Sequence, residues 1–131
     1  MRLLLDTHIA FWLVSDTLSL SHAENAILRR ADVEIALTAV ALWELRLKWQ
    51  ALYRSGDRKG PINPQEALAA FRKLGLPILP LDADIAATPL LHPIAHNDPF
   101  DDLLLVQAQQ LGMQLFTRDQ KLIGHPLAFF A

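Results

Sequence analysis

Apolar residues lie in short runs that polar turns separate along the whole chain. The run at residues 3–5 is typical of a strand buried on both faces, and residues 34–38 predict a second strand. Residues 78–81 and 114–117 predict a third and a fourth strand, and residues 127–130 predict a fifth at an edge. Short buried strands of this kind are expected to pair mainly in parallel.

Helical patterns with recognisable start and stop signals lie between the predicted strands. Ser21 and Glu24 form a capping box at the start of one helix, and Thr38 can cap another. Asn63 precedes a further helix, which Gly75 ends. Helices are predicted at residues 9–14, 22–30, 39–52, 64–74 and 99–111, with short ones after residues 82 and 119. This alternation predicts an α/β fold in which helices cover both faces of a mainly parallel sheet.

The helix predicted at residues 99–111 begins with three acids. Asp98 is a good N-cap, and Pro99 suits the first helical position, where its missing N–H costs nothing. Asp101 and Asp102 follow within one turn. At ~4 Å, two like charges repel by roughly 4 kcal/mol at an effective dielectric of 20, so acids crowded in this way are typical of a cation site. The alternative is a cap followed by acids that interact favourably with the helix dipole.

Other acids lie where predicted strands end or the following helices begin. Asp6 follows the first strand, Asp119 follows the fourth, and Glu44 lies one turn into the helix after the second. In a doubly wound sheet these positions meet at the carboxyl edge, where such proteins bind ligands. The alternatives are structural: Asp6 and Asp119 would cap the next helices, and Glu44 would pair with Lys48 four residues later.

A cluster of basic residues lies in and after the helix predicted at 39–52. Between residues 46 and 59 there is one acid, Asp57. The basic residues are Arg46, Lys48, Arg54, Arg58 and Lys59. They are candidates for contacts with phosphate groups, and the alternative is an ordinary solvated surface.

Two histidines precede the acidic helix. His92 and His96 are four residues apart, a spacing that can place two metal ligands on one helix face. Pro93 between them is incompatible with that helical geometry. We therefore interpret both as ordinary loop histidines.

Composition limits the classes of function. A chain of 131 residues, with 52% hydrophobic and 20% charged residues, is suited to a single domain with a sizeable core. Its formal net charge of −2 gives no overall attraction to nucleic acid or membrane. The absence of cysteine excludes disulfides and thiolate metal sites. No apolar run is long enough for a bilayer span or a signal peptide, so we expect a soluble cytoplasmic protein.

Four motifs, each with an acid, together resemble a known family. They are Leu3-Leu4-Leu5-Asp6-Thr7-His8, Ala41-Leu42-Trp43-Glu44-Leu45, Asp98-Pro99-Phe100-Asp101 with Leu103-Leu104 and Gln107-Ala108 behind it, and Thr117-Arg118-Asp119. With these motifs the chain resembles, over essentially its whole length, the PIN-domain ribonucleases, and within them the VapC-type toxins of toxin–antitoxin pairs. The motif that begins at Asp98 is the most specific of the four.

The resemblance implies one PIN domain over residues 1–131, with an α/β/α sandwich fold. It also implies cleavage of RNA phosphodiester bonds by water that Mg²⁺, or Mn²⁺, activates. The implied partners are RNA, a second copy of the chain in a homodimer, and a small VapB-like antitoxin that blocks the site.

The residue types suit this chemistry, because Mg²⁺ prefers hard oxygen ligands and keeps several waters. Asp6 and Asp101 are the expected main metal ligands. Glu44 and Asp119 are expected to complete the catalytic site, either directly or through water. Asp98 is expected to cap its helix and support this site from outside the metal ligands, and Thr7, next to Asp6, is expected to position phosphate or water.

Two features depart from the family pattern. Asp102 occupies a position that is often basic in relatives, which would weaken the attraction of phosphate or add an outer contact to the metal. The loop at residues 53–62 is longer than usual. Contacts to substrate or antitoxin in that loop are therefore not carried over from the family.

Other readings of the acids remain open. A haloacid-dehalogenase-like phosphatase needs a second aspartate two residues after the first, where this chain has His8. A receiver domain needs an aspartate at the end of the third strand, and Asp82 is a poor match to that position. A third alternative is a non-catalytic PIN-like binding module, although the presence of all four acids argues against it.

Overall fold

A five-stranded parallel sheet forms the centre of the computed structural model, which describes residues 1–131. The strands lie in the order β3-β2-β1-β4-β5, so β1 is central and β5 lies at an edge. The strands are β1 Arg2–Leu5, β2 Glu34–Thr38, β3 Ile78–Leu79, β4 Gln114–Phe116 and β5 Ala128–Phe129. All five predicted strands are present, and the last three are shorter than predicted.

Six α-helices connect the strands. They are α1 Thr7–Ser15, α2 His22–Leu28, α3 Ala39–Gln50, α4 Pro64–Leu74, α5 Ala83–Ala87 and α6 Pro99–Leu111. Short 3₁₀ helices cover Thr17–Ser19, which the sequence pattern did not predict, and Gln120–Leu122. The predicted caps at Thr38, Asn63 and Asp98 all accept hydrogen bonds from backbone N–H groups of the helices they precede.

Helices pack on both faces of the sheet because side chains alternate along β1. Leu3 and Leu5 belong to a core cluster that includes Phe71 of α4, whereas Leu4 packs with Leu104 of α6 in a second cluster. All five of these side chains are fully buried. The predicted α/β/α arrangement is therefore confirmed.

The polar loop predicted after α3 contains a small hairpin. Leu52 and Arg58 form an isolated antiparallel bridge, and the chain then returns to α3 at Gly60. A Cβ atom at Gly60 would lie 2.5 Å from the backbone nitrogen of Trp49, so only glycine allows this close approach. The loop is thereby held against α3, beside the basic residues of that helix.

No helix of the protein is long and apolar enough to cross a membrane. This agrees with the lack of a long apolar run in the sequence. The predicted location in the cytoplasm stays a prediction.

A buried glutamine, Gln107, joins α6 to the end of β2 and to the segment after β3. The Thr38 hydroxyl donates to Oε1 of Gln107 at 2.5 Å, and Nε2 of Gln107 donates to the Pro80 carbonyl at 3.1 Å. Both Thr38 and Gln107 are fully buried. These bonds fix α6 relative to β2 and to the segment after β3.

Replacing Gln107 by Leu should lower the free energy of unfolding by roughly 1–3 kcal/mol, because the buried hydroxyl of Thr38 loses its acceptor. Urea unfolding followed by circular dichroism measures the change. The matched control is Gln110→Leu, at an exposed position of the same helix, which should change stability by less than about 0.5 kcal/mol. Equal stability of the two variants would contradict the role given to Gln107.

Candidate active site

Asp6 lies directly after the central strand and is only 6% exposed. One of its carboxylate oxygens accepts from the backbone N–H of Thr7 at 2.7 Å, so Asp6 caps α1. The other oxygen accepts from the hydroxyl of Thr117 at 2.6 Å. Asp6 therefore caps the following helix, as the structural alternative predicts, and it also lies at the carboxyl edge of the sheet, where the site is predicted.

Asp101 lies in the first turn of α6 and is also 6% exposed. Its Oδ2 atom is 2.8 Å from Nε2 of His96. Asp98 begins the helix by accepting from the backbone N–H groups of Phe100 and Asp101 at 2.9 and 3.3 Å. The acidic helix start thus contains one capping carboxylate and one buried carboxylate that faces the loop before the helix.

Glu44 lies one turn into α3 and has two partners. Its Oε1 atom accepts from the Thr7 hydroxyl at 2.7 Å, and its Oε2 atom is 2.7 Å from Nζ of Lys48. The structural alternative, an ion pair with Lys48, is therefore present. Glu44 makes this ion pair and the hydrogen bond to Thr7 at the same time. Because Thr7 directly follows Asp6, both contacts lie at the same edge of the sheet.

Asp119 follows β4 and caps the 3₁₀ helix at Gln120–Leu122, where it accepts from the backbone N–H of Lys121 at 3.0 Å. Its own N–H donates to the hydroxyl of Thr117 at 3.0 Å. Because the same hydroxyl donates to Asp6, Thr117 joins the turn that carries Asp119 to the end of the central strand. Thr117 is almost fully buried, so this link is shielded from water.

The charges of the acids at this edge affect one another's pKa values. Burial, with contributions from the charges of Asp98, Asp6 and Asp119, raises the pKa of Asp101 to about 6 despite the contact with His96. Burial also raises the pKa of Asp6, and the charge of Glu44 adds to that rise. The carboxylates at this edge therefore repel one another, and a bound cation would reduce that repulsion.

Two contacts at this edge were not foreseen from the sequence. His96 was interpreted as an ordinary loop residue, yet it contacts Asp101. Arg118 forms an ion pair with the buried Glu24 of α2, which lowers the pKa of Glu24. The only signal for His96 was its position five residues before Asp101, and nothing local pointed to Arg118 and Glu24 as partners.

The donor set suits Mg²⁺ or Mn²⁺ in its chemistry, since it consists of carboxylate oxygens, two of them buried among like charges. No group of three or more His, Asp or Glu side chains forms a ready cage for a metal ion. Such a site fits a cation that keeps several waters and takes further ligands from a substrate phosphate. Asp102 is exposed, beside a surface groove that Asp98 and His96 also line.

The five basic candidates are distributed over different surfaces. Lys48 and Lys59 line a pocket beside Thr7, and Lys48 also pairs with Glu44. Arg46 lines another groove, between α3 and α4, and Arg58 stacks over the ring of Trp49. Arg54 is exposed in the hairpin. Of the five, Lys48 contacts an acid of this edge, and Lys59 lines a pocket together with Lys48 and Thr7.

Fold and site together define an α/β protein with a carboxylate centre at the carboxyl edge of a parallel sheet. The family model for the PIN domain matches residues 3–125. Ribonuclease VapC22 of Mycobacterium tuberculosis is 30% identical over 125 residues, which cover 93% of this chain and 90% of that relative. The chain belongs to the PIN-domain family, as a VapC-type member.

Solved structures share the fold. A chain in the crystal structure of VapBC2 from Rickettsia felis bound to a DNA fragment from their promoter aligns with a TM-score of 0.60 at 15% identity, covering 100% of this chain and 98% of that chain. A chain of a toxin–antitoxin complex from Klebsiella pneumoniae aligns with a TM-score of 0.61 at 19% identity, covering 96% and 94%. At these identities the likeness concerns the fold alone.

In the metal-free protein, we expect Asp101 to make stability fall as the pH rises from about 4 to 6. Its pKa of about 6 in the folded state lies above the ordinary 3.8, so folding favours the protonated form. That stabilisation is fully present below the ordinary pKa and is lost as the pH rises through the folded value. Urea unfolding in EDTA across this pH range measures the slope.

The variant Asp101→Asn should flatten this slope and should be at least as stable as the parent at neutral pH, because it keeps the shape and removes one charge. Asp98→Asn is the matched control, since Asn caps a helix about as well as Asp. It should keep most of the parent's slope. An unchanged slope in Asp101→Asn would show that the buried carboxylate does not titrate as described.

Proposed function

We propose that this protein is a metal-dependent endoribonuclease that acts as the toxin of a toxin–antitoxin pair. The observation that carries the proposal is the set of acids at one sheet edge: the charges of Asp6, Asp98 and Asp119 raise the pKa of Asp101, and the charge of Glu44 raises that of Asp6. The similarity to Ribonuclease VapC22 supports RNA as the substrate. The family membership supports a nuclease over a receiver or phosphatase.

In this proposal Asp6 and Asp101 hold Mg²⁺, with Mn²⁺ as a possible substitute. Glu44 and Asp119 complete the site directly or through water. When bound, the cation supplies a more acidic water and stabilises charge on the phosphate that is cleaved. Asp98 holds the start of α6, and thereby Asp101, in place.

Neighbouring hydroxyl and imidazole groups position these acids. The Thr117 hydroxyl orients one oxygen of Asp6, and the Thr7 hydroxyl orients Glu44. His96 contacts one oxygen of Asp101 and leaves the other without a side-chain partner. Each of these carboxylates therefore enters the reaction with its orientation already restricted, which reduces the ordering cost when substrate binds.

Among the basic candidates, Lys48 and Lys59 are the best placed to contact RNA phosphates, because both lie beside the acidic edge. Arg46, Arg54 and Arg58 stay predictions as RNA contacts. A non-catalytic binding module remains the second candidate, and the tests below distinguish it from a nuclease.

We also propose a small VapB-like antitoxin and a homodimer as partners. The two solved neighbours come from toxin–antitoxin assemblies, which supports the first of these. Exposed apolar side chains are available for contacts with partners, among them Trp43 at 42%, Tyr53 at 57% and Leu91 at 75% exposure. Light scattering of the protein alone and with the product of the adjacent reading frame tests both partners.

The purified protein should cleave RNA in the presence of Mg²⁺, and EDTA should abolish the cleavage. The reason is that the proposed chemistry depends on a cation held by the carboxylates of Asp6 and Asp101. Electrophoresis of total RNA, with sequencing of the cut ends, measures the activity, and an excess of Mg²⁺ added after EDTA is the control for reversibility. Undiminished cleavage in EDTA would contradict the metal mechanism.

Binding of Mg²⁺ should raise the melting temperature of the parent, since a ligand stabilises the state that binds it by RT ln(1 + [L]/Kd). Asp101→Asn should lose most of this shift together with RNA cleavage. Asp98→Asn should keep the shift and substantial activity, because its role as a cap survives. An active Asp101→Asn protein with a full Mg²⁺ shift would refute the assignment of Asp101.

A further inference from the structure

A pocket of about 360 Å³ lies beside the carboxylates. Its walls come from α1, α3 and the loop after α3, and they include Thr7, Phe11, Trp12, Lys48, Lys59 and Pro61. Pockets that hold small organic groups have volumes of roughly 300–1,000 Å³. The space is therefore large enough for one flat ring and its substituents, but small for a whole protein element.

This pocket adjoins the acidic edge through two of its own wall residues. The hydroxyl of Thr7 donates to Glu44, and the ammonium group of Lys48 lies 2.7 Å from the same carboxylate. Thr7 also directly follows the buried Asp6. A molecule in the pocket would consequently extend one end toward the carboxylates.

The ring of His8 also forms part of the pocket wall. His8 is exposed, and its ring stacks on that of Trp12, with ring centres 5.6 Å apart and an interplanar angle of 27°. Trp12 is itself held by the guanidinium of Arg118, 4.3 Å from its ring centre. The pocket thus presents a supported flat ring, the kind of surface on which unpaired bases stack.

Two lysines supply positive charge at the same place. Lys59 lies 5.5 Å from the ring centre of Tyr53 and forms no ion pair, whereas Lys48 is shared with Glu44. Lys48 also lines a second, polar groove, together with Lys121, Glu44 and Asp98. A nucleic-acid chain could therefore run from the pocket, past the acids, into that groove, with its phosphates near the lysines.

From these observations we propose that the pocket holds one unstacked base of a single-stranded RNA, beside the phosphate that is cleaved. His8 stacks on the base, and Lys48 and Lys59 contact the flanking phosphates. The inference rests on the proposed ribonuclease function and adds to it a residue, His8, that contacts a base beside the cleaved bond. A base within a duplex is already stacked and paired, so this pocket takes a base from an unpaired segment.

The first test measures RNA binding without metal, so that its result does not depend on cleavage. Fluorescence anisotropy in EDTA compares a short labelled single strand of mixed sequence with its duplex. The parent should prefer the single strand. His8→Ala should weaken single-strand binding by roughly 5- to 150-fold, the loss expected for one stacked base, and leave duplex binding unchanged.

Matched variants separate stacking from general damage. His8→Phe keeps an aromatic ring and should restore binding, whereas His22→Ala, at an exposed histidine of α2, should bind like the parent. Lys59→Gln should reduce the salt dependence of binding, because one phosphate contact is lost. Lys73→Gln, an exposed lysine of α4, should leave the salt dependence unchanged.

The second test uses cleavage of a randomised RNA library with Mg²⁺. His8→Ala should reduce the base preference at one position beside the cut, and His8→Phe should retain it. Single-strand binding by His8→Ala equal to that of His22→Ala would overturn the inference, as would a His8 effect confined to antitoxin binding. Binding that depends on His8, in a parent that cleaves no RNA, would support the pocket and overturn the nuclease proposal.

Discussion

Burial of negative charge beside negative charge is the constraint on which this structure depends. Asp6 and Asp101 are each 6% exposed, and burial raises the pKa of both. A buried carboxylate is tolerated only with partners. Thr117 supplies one for Asp6 and His96 supplies one for Asp101, yet neither removes the repulsion between the acids. A cation would relieve that repulsion, and for this reason the edge is suited to binding one.

The acids at this edge also build the fold. Asp6, Asp98 and Asp119 each cap the helix that follows, and all three also lie at the candidate site. The capping and metal-binding interpretations therefore do not exclude one another. For Asp98 the cap is the main role, whereas Asp101 caps nothing and its buried carboxylate contacts His96.

Helix boundaries marked by a cap or a glycine were the most predictable part of the fold, whereas α1 begins two residues before the predicted start and α2 and α3 each end two residues before the predicted end. The capping box at Ser21, the cap at Asn63 and the stop at Gly75 all lie where the sequence placed them, because each depends on hydrogen bonds within a few residues. Strand ends were less predictable. Residues 78–81 pair only at Ile78–Leu79, since the length of an edge strand is limited by its neighbour.

Local sequence patterns thus determine the strands, the helices and the position of each acid at a strand end or helix start. These local patterns do not determine which residues the acids contact. Thr117 and Asp6 are 111 residues apart, and Arg118 and Glu24 are 94 residues apart. Periodicity and capping rules act over one or two helical turns, whereas these contacts form only when β4 pairs with β1 and α2 packs beside them.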